Sequence, residues 1–325
     1  MVDHVMLDTD DRRVLHALQL DGRASFARIA AVLGMSERAV SRRYHRLRSQ
    51  LALRVVGVTG YHQQAQQDWL LRISTAPASA EAVARVLAAR WDTSWVAFLV
   101  GSGEFSCILR VPTATGDGGS ALEQLRRGTG VGTMTAQRLL TPIAGVGGWP
   151  GRLQALTATE QEALKPAIAG DSTPAPPSSE DEQLLRLLAT DGRTSTARLA
   201  SASGIPESTV RRRIGDLTAR SVLMFEVEVD PKLYGRHTDV ICWLDVQPAA
   251  LRTVTASLRS HTEVAFAATT TGTSNIVAIV EVTTADALHG YLADRIGALP
   301  GVHRVHTEIV SRWIKRAGPR LLPHA

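Results

Sequence analysis

The chain has 325 residues, of which 44% are hydrophobic and 21% are charged, and its formal net charge is +5. This length predicts two to four domains, because a single hydrophobic core rarely serves so long a chain. The composition is typical of a globular protein, and it excludes membrane spans because no apolar run approaches the ~20 residues that a span needs. We expect no secretory signal at the N-terminus, which has no basic flank followed by an apolar stretch.

Residues 1–60 are predicted to form three helices. The first begins after acidic residues that complement a helix dipole, and its apolar face includes Leu15 and Leu18. The second begins at Ser25 and ends at Gly34, where a short turn favours a residue that tolerates positive φ. The third begins at Ser36 and is rich in arginine. Residues 66–145 then alternate strand and helix patterns in the order β-α-β-β-α-β, which predicts a ferredoxin-like domain.

The same order follows a second time. Residues 146–179 are predicted to be a linker with a short helix, because they include a stretch rich in Pro, Ser and Ala. Residues 180–230 repeat the three-helix pattern, and residues 236–316 repeat the β-α-β-β-α-β pattern. The predicted fold class is therefore α+β, with two winged-helix-like helix-turn-helix domains alternating with two ferredoxin-like domains.

The three-helix segment is an internal repeat with a strong positive charge. Residues 21–50 align without a gap with residues 191–220, and 13 of the 30 positions are identical. The first segment has seven Arg against two acids (+5), and the second has six Arg against three acids (+3), so the two together carry +8 and the other 265 residues carry −3. A localised basic surface indicates a polyanionic partner.

A helix, a glycine-containing turn and an arginine-rich helix together specify a helix-turn-helix that binds double-stranded DNA. The third helix of each copy would enter the major groove, where arginine forms paired hydrogen bonds with guanine or contacts phosphates. A solvated basic face is the less favoured alternative, because the same arrangement occurs twice. The candidate DNA-binding residues are Ser36, Arg38, Ser41, Arg42, Arg43 and Arg46 in the first copy and Ser208, Thr209, Arg211, Arg212 and Arg213 in the second.

The sequence resembles the Lrp/AsnC family, the feast/famine transcription regulators, in a tandemly duplicated form. The resemblance rests on Leu-Asp-x-x-Asp at 7–11, Asp-Gly-Arg at 21–23 and 191–193, the Ala-x-x-x-Gly-x-Ser of 30–36, and the paired arginines. It implies a DNA-binding regulator with an effector and assembly domain. Members with one copy per chain dimerise, so a chain with two copies is expected to form a pseudo-dimer within itself, with further oligomerisation left open.

The resemblance also implies where a small effector, often an amino acid, would bind. The family usually carries Gly-x-x-Asp between the two middle strands of the effector domain. The matching positions are Gly101 and Glu104 in the first copy and Gly272 and Asn275 in the second. Neither copy keeps the aspartate, and glycines that allow a tight hairpin turn are an equally good interpretation.

Two other functions fit the sequence less well. An enzyme is not expected, because the sequence has no phosphate-binding glycine loop, no Gly-x-Ser-x-Gly and no His-Glu-x-x-His, and we predict no catalytic residues, metal or cofactor. A nucleoid-associated protein that organises DNA with little sequence specificity is the closer alternative. Cys107 and Cys242 are isolated in apolar runs and are expected to be buried thiols in a reducing compartment, which favours the cytoplasm (nucleoid).

Overall fold

The computed structural model describes residues 7–50, 53–59, 66–100, 104–112, 118–128, 132–145, 154–165, 177–229, 233 and 235–317. The chain forms two compact units, and each unit contains segments from both halves of the sequence. The first unit consists of Met1–His62 and Gly147–Gly235, and the second consists of Gln63–Val146 and Arg236–Ala325. In the described residues, the structure contains no helix long and apolar enough to cross a membrane.

The first unit contains the two predicted three-helix segments. The first segment comprises α1 (Thr9–Leu20), α2 (Phe26–Leu33) and α3 (Glu37–Ser49). Ser25 and Ser36 cap α2 and α3, because each hydroxyl accepts a hydrogen bond from a free backbone N–H in the first turn. Gly34 ends α2 with φ +67°, a left-handed conformation that strains a residue with a Cβ atom. These caps fix the two helix termini that form the turn between α2 and α3.

A two-stranded antiparallel ribbon joins the two three-helix segments within one chain. Strand β1 (Leu53–Thr59) follows α3. It pairs with β6 (Leu223–Val229), from Leu53 opposite Val229 to Thr59 opposite Leu223. The ribbon holds the segments together because Val55, Val227 and Val229 are buried in one hydrophobic core with the helices of the first copy.

The segment between the halves is partly folded onto the first copy. Of the linker predicted at 146–179, residues 146–153 and 166–176 lie outside the described residues. A short helix, α6 (Ala158–Leu164), begins at the capping residue Thr157, and Leu164 is fully buried in the core of the first copy. Arg13 forms an ion pair with Glu160 at 2.6 Å. The described part of this segment is therefore a packed element of the first unit.

The remaining elements follow the predicted order. They are the second three-helix segment, in the first unit, and two βαββαβ domains, in the second unit. The second helical segment comprises α7 (Ser179–Thr190), α8 (Thr196–Ser203) and α9 (Glu207–Ala219), followed by β6 (Leu223–Val229). In the second unit, the first βαββαβ domain comprises β2 (Gln66–Ser74), α4 (Pro77–Ala89), β3 (Thr93–Leu99), β4 (Glu104–Pro112), α5 (Gly119–Gly128) and β5 (Thr133–Ala144). The second comprises β7 (Thr238–Val246), α10 (Leu251–Ser260), β8 (Val264–Thr270), β9 (Ile276–Val282), α11 (Ala285–Gly290, continued by a π-helical turn at Tyr291–Ile296) and β10 (Val302–Lys315).

Among the described residues of the second unit, eight strands form one closed antiparallel sheet in the order β10-β3-β4-β2-β5-β8-β9-β7. Within each copy, the strand that ends the domain lies beside the strand that begins it. The copies are joined at two seams, because β10 pairs with β3 around Val310 and Leu99, and β5 pairs with β8 around Leu139 and Thr270. The predicted α+β fold class is confirmed, with two helix-turn-helix segments and two ferredoxin-like domains.

Candidate nucleic-acid interface

Helix α3 presents two arginines to solvent. Arg38 and Arg42 are exposed, and no carboxylate among the described residues lies within ion-pair distance of either guanidinium. Ser41, between them, is half-buried. The hydroxyl of Ser36 accepts a hydrogen bond from the Ala39 N–H at 3.2 Å, so it serves as the cap of the helix. An exposed guanidinium without a carboxylate partner is available to bind phosphates or guanine edges.

Two other arginines of α3 are bound by the acidic start of α1. Arg43 forms ion pairs with Asp8, Asp10 and Asp11 at 2.6, 2.9 and 2.8 Å. Burial acts against the charged form of Arg43, but its hydrogen bonds to Asp8 and Asp11 raise its pKa above the ordinary value. Arg46 also binds Asp11, whose side chain is fully buried. These contacts give Arg43 and Arg46 a structural partner that the sequence interpretation did not include.

Helix α9 has the same arrangement with fewer free charges. Arg211 and Arg212 are exposed, but Arg211 pairs with Glu207 at 3.1 Å and Arg212 with Asp216 at 3.5 Å, each one turn away on the same helix. Arg213 occupies the position of Arg43. It forms ion pairs with Glu180 and with Asp181, the latter at 2.9 Å. Ser208 is exposed and Thr209 is half-buried at the start of the helix.

The two helices therefore differ in charge at equivalent positions. Helix α3 has five Arg and one Glu, a net charge of +4, whereas α9 has three Arg, one Glu and one Asp, a net charge of +1. Arg38 is replaced by Ser208 and Arg46 by Asp216 in the second copy. The two helix surfaces offer different hydrogen-bonding groups to any DNA they contact.

The second unit holds the residues that the resemblance assigns to an effector. Gly101 lies outside the described residues. Glu104 begins β4 and accepts a hydrogen bond from Arg72 Nε at 2.8 Å. Arg72 also contacts Glu308, and its guanidinium lies over the Trp243 ring, with Cζ 5.5 Å from the ring centroid. The carboxylate of Glu104 is thus already paired within the protein.

The equivalent residues of the second copy are also engaged. The Asn275 amide forms two hydrogen bonds with the backbone of Val246, accepting from its N–H at 3.0 Å and donating to its carbonyl at 2.7 Å. Gly272 has φ +106°, and a Cβ atom there would lie 2.8 Å from Gln137 Nε2. The Asn275 and Gly272 positions therefore have structural roles in the hairpin between β8 and β9.

The first unit, with two helix-turn-helix segments that each present arginines, defines a tandem helix-turn-helix DNA-binding protein. The AsnC-type helix-turn-helix domain matches residues 7–48 and 180–218, and the Lrp/AsnC ligand binding domain matches residues 239–319. An uncharacterized HTH-type transcriptional regulator of Pyrococcus furiosus is 30% identical over 137 residues, which are 41% of this chain and 93% of that protein. The HTH-type transcriptional regulator LrpA of Pyrococcus horikoshii is 26% identical over 136 residues, which are 42% of this chain and 96% of that protein. The chain belongs to the Lrp/AsnC family of transcriptional regulators, in a tandemly duplicated form.

One solved structure is similar over nearly the whole chain. The siroheme decarboxylase NirDL superposes with a TM-score of 0.65, covers 95% of this chain and 94% of its own, and is 11% identical. This likeness shows the fold. The family models and the regulators named above, and not this likeness, show that the chain is an Lrp/AsnC transcriptional regulator with DNA-binding helix-turn-helix domains and a ligand-binding domain. The alternative of an unspecific nucleoid organiser is not favoured.

Proposed function

We propose that one chain acts as a pseudo-dimer that reads two unlike DNA half-sites, one with α3 and one with α9. The observation that carries this proposal is the ribbon of β1 and β6, which joins both helix-turn-helix segments into one unit. Paired recognition helices read half-sites about one helical turn apart. Because α3 and α9 differ at Arg38/Ser208, Ser41/Arg211 and Arg46/Asp216, a palindromic site would match one half poorly.

Within this proposal, some arginines of α3 and α9 contact DNA and others stabilise the helical domains. Base contacts are assigned to Arg38 and Arg42 in the first copy and to Arg211 and Arg212 in the second, with Ser36, Ser41, Ser208 and Thr209 as short polar neighbours. Arg43 and Arg213 are instead assigned to stabilising the domains, because three acids bind the first and two acids bind the second. Arg46 is assigned to the same role through the buried Asp11.

Selection of genomic DNA fragments by the purified protein at about 150 mM salt tests the proposal, because this salt level suppresses purely electrostatic binding. A recovered motif with two unlike half-sites about one turn apart is the expected result. Enrichment without a motif would contradict it and would return the nucleoid organiser as the better function. Analytical ultracentrifugation adds a second test, since an obligate assembly of four or more chains with helix-turn-helix domains paired between chains contradicts the strict pseudo-dimer.

We further propose that residues 1–60 and 180–230 act as one DNA-binding pair, and that residues 66–145 and 236–316 act as one effector and assembly pair. An amino-acid effector at the family's position has to compete with internal partners, since Arg72 binds Glu104 and the Val246 backbone binds Asn275. A panel of amino acids is screened by thermal unfolding of the wild type and of Glu104→Gln. A shift with the wild type that the variant loses supports a site at Glu104, whereas equal shifts with both exclude it.

The proposed regulator is not an enzyme and acts at DNA in the cytoplasm. The relatives described above are named as transcriptional regulators, which supports this. Incubation with candidate amino acids is expected to leave them chemically unchanged. Siroheme is the second compound to test for turnover, because a solved structure with a similar fold is a siroheme decarboxylase. Release of carbon dioxide from siroheme by the purified chain would overturn the assignment.

A further inference from the structure

The two Asp-Gly-Arg segments, at 21–23 and 191–193, exchange their arginines across the first unit. Arg23 Nη1 donates to the carbonyl of Gly192 at 2.6 Å and to that of Thr194 at 3.1 Å. Arg193 Nη1 donates in return to the carbonyl of Gly22 at 2.8 Å. Each arginine thus binds the backbone of the other copy. We call this pair of reciprocal contacts the arginine clasp.

Aromatic rings support both arms of the clasp. The Arg193 guanidinium lies over Phe26 and Tyr44 of the first copy, with Cζ 4.6 and 5.2 Å from the ring centroids. Arg23 lies over Phe225 of β6, with Cζ 5.5 Å from the centroid. Burial is the main cause that lowers the pKa of both Arg23 and Arg193. A planar guanidinium can stack and donate hydrogen bonds at once, which an ammonium group cannot do.

The glycines of the same segments allow the two backbones to approach the ribbon. A Cβ atom on Gly22 would lie 2.8 Å from Phe225 Cβ, and one on Gly192 would lie 3.0 Å from Phe225 Cδ1. The Gly192 N–H also donates to the carbonyl of Val55 in β1 at 2.8 Å. Both glycine segments therefore contact the centre of the β1–β6 ribbon, and the side chain that follows each glycine crosses to the other copy.

From this reciprocal geometry, we propose that Arg23 and Arg193 are positioning residues that fix the separation of α3 and α9, and with it the half-site spacing that the chain accepts. The inference rests on the proposed reading of two half-sites. The clasp acts at the start of the helix-turn-helix, since Arg23 and Arg193 lie between the first and second helices of their copies. Without it, the ribbon and the ion pair of Arg48 with Asp191 at 2.7 Å still join the two copies, but the two recognition helices are freer to move apart.

The test measures affinity for a series of DNA duplexes in which the two selected half-sites are moved apart or together one base pair at a time. The wild type is expected to lose about tenfold in affinity when the spacing changes by ~2 base pairs, since the helices face a fixed groove geometry. Arg23→Ala/Arg193→Ala is expected to vary by less than about threefold over the same series, because a flexible linkage tolerates several spans. Binding to a single half-site should be equal for the two proteins.

The outcomes separate this inference from the proposed function. An equally sharp spacing optimum in the double variant overturns the clasp while leaving the two half-sites in place. Loss of single half-site binding by the folded double variant also overturns it, because a positioning residue leaves each reading surface intact. A wild-type protein that selects no motif with two half-sites overturns the proposed function and, with it, this inference.

A distance measurement keeps the inference testable if the double alanine variant unfolds. Ala31 and Ser201 are exposed at equivalent positions of α2 and α8, and cysteines placed there can carry spin labels. The native Cys107 and Cys242 are buried, and burial raises the pKa of each thiol to about 12, so they resist labelling. Arg23→Lys/Arg193→Lys keeps both charges and removes the forked donors. The labelled Arg23→Lys/Arg193→Lys variant is expected to show a broader distribution of distances between the two labels than the labelled wild type. An unchanged distribution overturns the inference.

Discussion

Arg43 and Asp11 bind each other between α3 and α1, with Arg43 Nη1 2.8 Å from Asp11 Oδ1 in a position where the carboxylate is fully buried. Arg213 and Asp181 repeat this contact in the second copy at 2.9 Å. A buried carboxylate needs such partners because desolvation without compensation is costly. The paired arginines that mark the family in this sequence are thus one arginine that faces solvent and one that ties the recognition helix to the first helix.

Arg43→Ala and Arg213→Ala are expected to lower the free energy of unfolding by about 1–3 kcal/mol each, because each leaves a buried carboxylate short of a donor. Discrimination between the selected site and random DNA should change little in protein that remains folded. Urea unfolding followed by circular dichroism, with DNA binding measured well below the transition, checks both parts. A large loss of discrimination without loss of stability would place these arginines at the DNA instead.

Arg42→Ala and Arg212→Ala are expected to act on opposite half-sites. Each should cost about 1–3 kcal/mol of discrimination at the base pairs under its own helix if the guanidinium reaches a base edge. If the side chain meets only phosphate, affinity should fall evenly across sequences and the salt dependence should flatten. Arg85→Ala is the matched control, because Arg85 is an exposed arginine of α4 paired with Glu81 in the second unit. Binding isotherms on sites altered in one half at a time distinguish these outcomes, and no loss of either kind removes the residue from the interface.

Ser221→Gly is expected to raise the free energy of unfolding by about 0.5–1 kcal/mol. Ser221 follows the C-cap of α9 with φ +54°, and the Val222 N–H donates to the carbonyl of Leu217, as is usual where a left-handed residue follows a helix. Glycine adopts this conformation without the steric cost that serine bears. Gly34→Ala is the opposite control, expected to lose about 1 kcal/mol at φ +67°, where an added Cβ would meet no neighbour within 4 Å. Denaturant unfolding of both variants would contradict the explanation if the two shifts had the same sign.

His16 is expected to make the packing of the 154–165 segment sensitive to acid. Its Nδ1 accepts a hydrogen bond from the Ala155 N–H at 3.1 Å, which requires that nitrogen to be unprotonated. Burial lowers the pKa of His16, more than the nearby Glu160 raises it. The unfolded state therefore takes up the proton first, so the stabilisation is present above about pH 6.5 and is lost as the pH falls below it.

Hydrogen exchange at the Ala155 amide measures this local effect. The readout has to be local, because burial also lowers the pKa of His261 in the second unit. The protection factor of Ala155 should fall between pH 7.5 and pH 5.5 in the wild type. His16→Asn offers an amide oxygen as acceptor without a titrating ring and should show a constant protection factor over the same range. Equal pH dependence in both proteins would remove His16 as the cause.

The sequence was most informative where local rules decide the structure. The capping serines Ser25 and Ser36, the turn glycine Gly34 and the order of strands and helices all follow from interactions within a few residues, and each was confirmed. The family resemblance added the DNA-binding function. The pairing of β1 with β6 was not predicted, because its partners lie more than 160 residues apart and either strand alone is only a short apolar run.

The sequence analysis did not predict the ion pairs that bind some of the candidate arginines. The acids at the start of α1 and α7 complement the helix dipole, as expected, but they also bind Arg43 and Arg213 across the domain. A signal existed, because acids at equivalent positions accompany an arginine at an equivalent position in both copies. The roles of Arg23 and Arg193 were missed for a different reason. Their partners are backbone carbonyls, which every residue has and no sequence pattern marks.

The closed sheet of the second unit joins both copies within one polypeptide, and this affects how DNA binding depends on the concentration of the protein. Where separate subunits must meet, the fraction able to grip two half-sites falls steeply as the protein is diluted. Under the proposed reading of two half-sites, the β1–β6 ribbon and the seams β10–β3 and β5–β8 all join parts of one polypeptide, so dilution does not separate the two helix-turn-helix segments. Under the same proposal, each helix-turn-helix segment has its own stretch of coding sequence, so a substitution in one is not imposed on the other and the two half-sites are free to diverge.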